Sequence, residues 1–362
     1  MTFQGILEIE GGRGGFVRTR SLTVASRPTD PYVTSASIAR FSLREGVFLE
    51  GDAEERRGKS PHVRTIASVN GVAPEVWKAF PEVSQHEPVS PHEALRLEGP
   101  GCNVSMRLVG LFCPIGKGQR ALIVSPPKAG KTILLQHLAH AVSTFNPEID
   151  LIVLLVDERP EELTEMKRAI RGEVFGSSSD TERGDQVRLA KLVLEYAKRK
   201  VETGRDVVLL LDSLTRLGRA FNIHQRGSGR TMSGGVDARA LEIPKRIFGA
   251  ARKLEDAGSL TIIATALIET NSRMDELIFQ EFKGTGNMEL VLDRKLAEER
   301  LFPAINLSLS GTRREELLFG GEASRYQNLR RSIARLNPRE ALLAVLRLTG
   351  KYPTNEELVS RF

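Results

Sequence analysis

The chain of 362 residues is 40% hydrophobic and 27% charged, a composition that excludes a disordered chain, a collagen-like fibre and a membrane bundle. An apolar run such as 151–156 is far short of the roughly 20 residues a membrane span needs. Lys and Arg number 52 against 46 Asp and Glu, an excess that suits either a nucleic-acid binder or a solvated basic surface.

In chain order, residues 5–10, 16–18, 30–33, 46–51 and 63–69 read as short strands separated by turns, the spacing of a small barrel. This gives a barrel domain over 1–72. Residues 73–100, rich in Pro, Glu, Ser and His, read as a linker. Beyond Pro100 the apolar strands 121–124, 151–156, 207–211 and 260–266 alternate with helices. Val187, Ala190, Leu194, Ala197 and Val201 mark one helix face. Strands buried on both sides predict a parallel α/β sheet over 101–345, followed by a C-terminal helical tail over 346–362. In such sheets the chemistry gathers beyond the carboxyl ends of the strands. Two cysteines, Cys102 and Cys113, build neither a disulfide framework nor a zinc motif. Together with an N-terminus lacking a secretory signal, they lead us to expect a cytoplasmic protein with no membrane partner.

The first strand of the sheet runs into Ser125-Pro126-Pro127-Lys128-Ala129-Gly130-Lys131-Thr132 and then an apolar helix, the strand–loop–helix context of a phosphate-binding loop. Ser125 stands where the generic pattern has its first glycine. The pattern favours anionic phosphates, with Lys131 on the β- and γ-phosphates and Thr132 on Mg²⁺. Strand 207–211 delivers Asp212, the acid expected to accompany Mg²⁺. Strand 151–156 delivers Glu158, which either polarises a water for attack on phosphate or pairs at the surface. The segment from Gly227 to Gly235, containing Arg230, Thr231, Met232, Ser233 and Gly234, is a glycine-rich cationic loop, either a connector or a contact for RNA phosphates and 2′-hydroxyls. Arg313 lies on a turn as a solvated charge or as a finger toward a neighbouring γ-phosphate. In the barrel, Phe16 either packs the core or stacks a base. His137 and His140 share a helix without a carboxylate ladder and read as structural.

Eight strings in order resemble the bacterial Rho transcription termination factors, RecA-type hexameric RNA helicases. They are 113–120, 126–132, 157–162, 211–216, 233–238, 244–252, 281–290 and 310–313. The resemblance covers about residues 3–70 and most of 101–320. It implies a RecA-type P-loop ATPase domain preceded by an OB-type barrel, and places the nucleotide contacts at Gly116, Lys117, Gly118, Gln119, Arg120 and Ala121, then at Lys128, Ala129, Gly130, Lys131, Thr132 and Ile133, with Arg159 beside them. It further implies Glu158 as catalytic base, Asp212 as the metal-associated acid, Arg216 as the γ-phosphate sensor and Arg313 as the finger in trans. Arg300 would be a second interface arginine and Phe302 the adenine-stacking ring. The primary RNA site would fall on Arg13, Gly14, Gly15, Phe16, Val17, Arg18, Asp30, Pro31 and Tyr32. The pore contacts would be Thr231 to Gly235 and Arg273, the last standing where the family has Lys. Gly14 replaces a family aromatic, and around Pro61-His62-Val63 the acid and aromatic expected to complete a pyrimidine pocket are missing. A short helical domain usually precedes the barrel, which begins here at about Phe3.

The resemblance thus implies an ATP- and Mg²⁺-dependent RNA helicase that terminates transcription. Its partners would be single-stranded RNA, five further copies of itself, RNA polymerase and elongation factors. Two alternatives stand: a ring ATPase that remodels RNA–protein complexes without terminating transcription, and a regulatory RNA-binding protein with a vestigial ATPase.

Overall fold

In a computed structural model of the chain, the described residues are 1–12, 14–56, 58–224, 235–237 and 239–362. Strands β1 (Thr2–Ile9), β2 (Gly14–Arg18), β3 (Tyr32–Thr34), β4 (Phe48–Arg56) and β5 (Lys59–Val69) close into a barrel of order β1-β2-β3-β5-β4. Alternation along the strands decides what each residue faces. On β1, Leu7 enters the barrel core with Val17, Val33, Leu49 and Val69, whereas Ile6 points the other way into the core of the second domain.

The segment expected to be a linker is ordered on both sides. Trp77, on the short helix Pro74–Trp77, is fully buried against the barrel core, and its indole N–H donates to the Ser42 carbonyl at 3.2 Å. Further on, β6 (Pro88–Val89) pairs with a strand of the second domain. One large aromatic and one edge pairing are enough to fix a stretch whose composition looks loop-like.

The second domain is built on a nine-stranded sheet. Its strands are β7 (Arg120–Ser125), β8 (Asp150–Glu158), β9 (Glu173–Ser178), β10 (Asp206–Asp212), β11 (Arg252–Leu254), β12 (Ser259–Leu267), β13 (Met288–Val291) and β14 (Gly311–Thr312), with β6 at the edge. The order β14-β13-β7-β12-β10-β8-β9 puts β7, β12, β10 and β8 side by side and parallel, so their carboxyl ends open on one side of the sheet. The four expected strands extend by one or two residues at each end; β9, β13 and β14, short and partly polar, escape the apolar-run criterion. Helix Arg183–Glu202 buries its apolar stripe beneath the sheet as its spacing predicts. At the C-terminus, helix Pro338–Lys351 runs straight through the boundary expected near 345 and packs its Ala341, Leu342 and Val345 into the main core. The tail is therefore part of this domain.

The two domains meet through buried charge. Glu8 of β1 accepts from Arg188 of the helix Arg183–Glu202 at 2.9 Å, and Asn70 Nδ2 donates to the Arg199 carbonyl at 2.9 Å. No helix among the described residues is long and apolar enough to cross a membrane.

Candidate nucleotide site and nucleic-acid interface

β7 ends at Ser125 and helix Lys131–Phe145 begins after the loop, with Gly130 at its N-cap. Gly130 has φ +88°, a conformation L side chains rarely adopt. The amides of the first helical turn have no acceptor inside the helix, so the loop and helix start offer N–H groups and a favourable dipole to an anion.

Four charged groups converge on this end of the sheet. Lys131 Nζ lies 2.5 Å from both carboxylate oxygens of Asp212, which closes β10. The Thr265 hydroxyl of β12 donates to Asp212 Oδ1 at 2.7 Å and fixes its plane. Glu158, at the end of β8, is 3% exposed; its Oε1 stands 3.8 Å from Lys131 and its Oε2 3.3 Å from Arg216 Nη2. Glu158 Oε1 is buried and has no hydrogen-bond partner. Burial, reinforced by the charge of Asp212, pushes the Glu158 carboxyl up to about 8 against the partial opposition of Lys131 and Arg216. A half-satisfied buried carboxylate, held by an arginine on one oxygen and open on the other, is the chemistry of a base awaiting water. Arg216 also donates to the Asp157 carbonyl, which ties it to the same strand end. Thr132 sits in the first turn beside Lys131, and exposed Arg159 follows Glu158 directly. Among the described residues there is no cluster of His, Cys, Asp and Glu that could hold a structural metal.

Next to the phosphate loop a cavity of about 400 Å³ is lined by Lys128, Ala129, Gly130, Ile133, His137 and Phe302, among others. Phe302 is 47% and Ile133 54% exposed, two large apolar surfaces left open around a slot. A Cβ on Gly130 would approach the Phe302 ring to 3.5 Å. Arg300, two residues before Phe302, is exposed with φ +60°. The sequence singles out Phe302 and Ile133 and reads His137 as structural; His137 lines the cavity one helical turn beyond Ile133.

The stretch Gly116 to Ala121 is not brought to this loop. It occupies the amino end of β7, and five residues of strand separate Arg120 from Ser125, about 17 Å. Its groups are engaged there: Lys117 pairs with Glu93 and with Asp206 at 3.0 Å, Gln119 bonds Asn287, and Arg120 donates to the Thr285 and Ala251 carbonyls. Within one chain these residues therefore lie at the amino end of β7, away from the phosphate loop. Arg313 shares that edge, its amide bonded to the Asn287 carbonyl at 2.9 Å. Its guanidinium makes no hydrogen bond or ion pair with any described residue.

In the barrel, Phe16 is half-buried rather than in the core, and its ring centroid lies 5.3 Å from that of Tyr32. Tyr32 in turn lies 5.0 Å from His62. His62 lies beside Tyr32 because β3 and β5 pair at those two positions, so an imidazole occupies the stretch 61–63 where the family aromatic is missing. Gly14 explains the rest: with φ +130°, any Cβ there would meet the Tyr32 hydroxyl at 2.6 Å. Arg18, Asp30, Val17 and Pro31 are buried and hold the surface from behind. Arg18 is bonded to Glu8, Glu10 and Asp30 and lies 4.9 Å over the Phe16 ring. Arg13 and the loop residues Arg230, Thr231, Met232, Ser233 and Gly234 lie outside the described residues. Gly235 is exposed with φ +78°, and Arg273 is exposed at the start of helix Arg273–Lys283.

Comparison with known proteins joins the two halves. Residues 105–312 match the model of the ATP synthase alpha/beta family, nucleotide-binding domain, and residues 3–75 that of the Rho termination factor, RNA-binding domain. Among solved structures, an ATPase from the type III secretion system of pathogenic bacteria superposes with a TM-score of 0.62 at 23% identity, over 78% of this chain and 77% of that one, a likeness of fold. Transcription termination factor Rho of Streptomyces lividans is 48% identical over 98% of this chain, which spans 51% of that relative's length. Those of Neisseria gonorrhoeae and Pseudomonas aeruginosa are 49% and 48% identical, with 97% and 98% of this chain covering 84% and 86% of theirs. Identity of this depth, running through an RNA-binding barrel and a phosphate-loop ATPase domain, shows that the chain belongs to the Rho family of transcription termination factors.

Proposed function

We propose that the chain is an ATP-driven, RNA-translocating helicase that terminates transcription as a ring of six copies. The observation that supports this best is the division of one site between two ends of the sheet. Lys131, Glu158, Asp212 and Arg216 gather at the carboxyl ends of the strands, while Arg313, without a side-chain partner among the described residues, follows β14 at the level of the amino end of β7. An arginine so placed serves the nucleotide of a neighbouring copy. Assembly is then a condition of turnover.

ATP would lie with its phosphates on the loop and its base against Phe302. Lys131, here paired to Asp212, gains a second anionic partner in the phosphates. Glu158 accepts the proton of the attacking water through its open oxygen. Arg313 from the neighbour stabilises charge developing on the transferred phosphoryl group. The Thr132 hydroxyl and the Asp212 carboxylate are hard oxygen donors beside the loop and fit Mg²⁺, which when bound would neutralise charge on the terminal phosphates. RNA would load on the row Phe16, Tyr32 and His62, and the loop through Thr231 to Gly235, with Arg273, would grip it in the ring. RNA polymerase with its elongation factors is the partner implied, in the cytoplasm.

Because Glu158 acts as carboxylate, kcat/KM for ATP is expected to rise with pH through about 8 and to fall below it, as protonation removes the base. A pH profile of kcat/KM levelling instead near 4.5 would contradict the buried-base reading. In the barrel, Tyr32→Ala is expected to weaken single-stranded RNA binding by about 1–3 kcal/mol, and His62→Ala by a comparable or smaller amount, read as Kd for short oligonucleotides. Unchanged Kd for both would move the loading site elsewhere. The decisive assay is release of nascent RNA from stalled elongation complexes. Release requiring ATP supports termination; RNA-stimulated hydrolysis without release supports the remodelling ATPase.

A further inference from the structure

Strand β8 reaches Glu158 irregularly. Leu155 pairs with Gly176 of β9 and the next pair is Glu158 with Ser178, so β8 carries one residue more than β9 over this stretch. Such a bulge moves the side chains beyond it to the other face of the sheet. Before the bulge, Val153 and Leu155 face the core that holds the helix Lys131–Phe145, while Ile152, Leu154 and Val156 face the core that holds the helix Arg183–Glu202. Simple alternation would send Glu158 the way of Val156, away from the phosphate loop. The extra residue returns it to the side of Lys131, 3.8 Å from the ammonium.

The residue that makes this turn is Asp157, with φ +59°, a left-handed conformation that Asp adopts more readily than most side chains. Its carboxylate is held by the first turn of helix Arg183–Glu202. Arg183 Nη1 donates to Asp157 Oδ1 at 2.7 Å, and Gln186 Nε2 stands 3.4 Å from the same oxygen. Gln186 is fully buried; it accepts from Arg183 at 2.9 Å and donates to the Ser178 carbonyl at 3.1 Å. Further along the helix, Arg188 donates to Glu8 and, at 2.8 Å, to the Val24 carbonyl, which fixes the helix start against the barrel. Arg183 is thus a rigidly mounted clamp on the residue before the base.

We propose that Arg183 is a positioning residue for hydrolysis: by holding Asp157 in the bulge it keeps Glu158 turned toward the phosphate loop. This assignment rests on the ATPase reading and adds to it the group that aims the base.

The test measures single-turnover hydrolysis and the Kd of Mg-ATP on the full chain with single-stranded RNA present. Arg183→Ala is expected to slow hydrolysis by about 10- to 100-fold, the cost of a displaced reacting group, with the Kd unchanged. Arg183→Lys, which keeps a cation within reach of Asp157 without the planar guanidinium, is expected to fall between. In a Glu158→Gln chain no base is left to aim, so adding Arg183→Ala is expected to change the residual rate by no more than about twofold. The same loss in both backgrounds would mark a general loosening and overturn the proposal. So would a rise in Kd that accounts for the lost rate, which would make Arg183 a nucleotide contact. Unchanged hydrolysis by Arg183→Ala beside an inactive Glu158→Gln chain would strike the positioning role alone. Unchanged hydrolysis by Glu158→Gln would remove the base and this assignment together.

Discussion

Glu158→Gln is expected to lower ATP turnover by about 100- to 10,000-fold, the usual worth of a positioned general base, while leaving Mg-ATP binding nearly unchanged. The amide is isosteric, keeps a group beside Arg216, and removes the buried carboxylate oxygen left without a hydrogen-bond partner. It also relieves the cost of a buried, half-satisfied carboxylate, so the variant should fold at least as well as the unaltered chain. Single-turnover hydrolysis alongside nucleotide Kd checks both halves of the expectation. Turnover within a factor of two of the unaltered chain would remove Glu158 from the mechanism and leave it a partner of Arg216.

Arg313→Ala is expected to cost as much or more, on the order of 1,000-fold, because an arginine finger acts on charge that appears only in the transition state. Its position makes a sharper test possible. Since Arg313 and Glu158 lie at opposite ends of the sheet, a ring mixed from Glu158→Gln and Arg313→Ala chains contains interfaces in which both residues are intact. Mixing two nearly inactive preparations is therefore expected to restore ATPase activity well above either alone. No recovery in a verified mixed ring would place Arg313 outside the neighbour's site.

The motor was legible because phosphate chemistry leaves local marks: Lys131 and Thr132 follow a strand at fixed spacing, and Glu158 and Asp212 each end an apolar run. Less legible were relations set by strand register. Tyr32 and His62 are 30 positions apart and become neighbours only through the β3–β5 pairing, so His62 looked like a substitution that empties the pocket rather than one that fills it. Gly116 to Ala121 precede the phosphate loop closely in sequence, yet an extended strand carries them to the other end of the sheet. His137 carries no motif at all. Its place is evident only once Phe302, 165 positions later, is packed across from its helix. Trp77 shows the same limit for domain boundaries: a composition that reads as linker is overridden by one buried indole.

Hydrolysis at the split site is expected to be coupled to RNA. The most direct measurement is the ATPase rate of the purified, verified hexamer with and without poly(C), poly(U) and poly(A). Stimulation by RNA is expected, and stimulation by all three polymers if the row Phe16, Tyr32 and His62 stacks bases without an acid to select pyrimidines. A hexamer that binds ATP and hydrolyses it at one rate, whatever RNA is added, would contradict it.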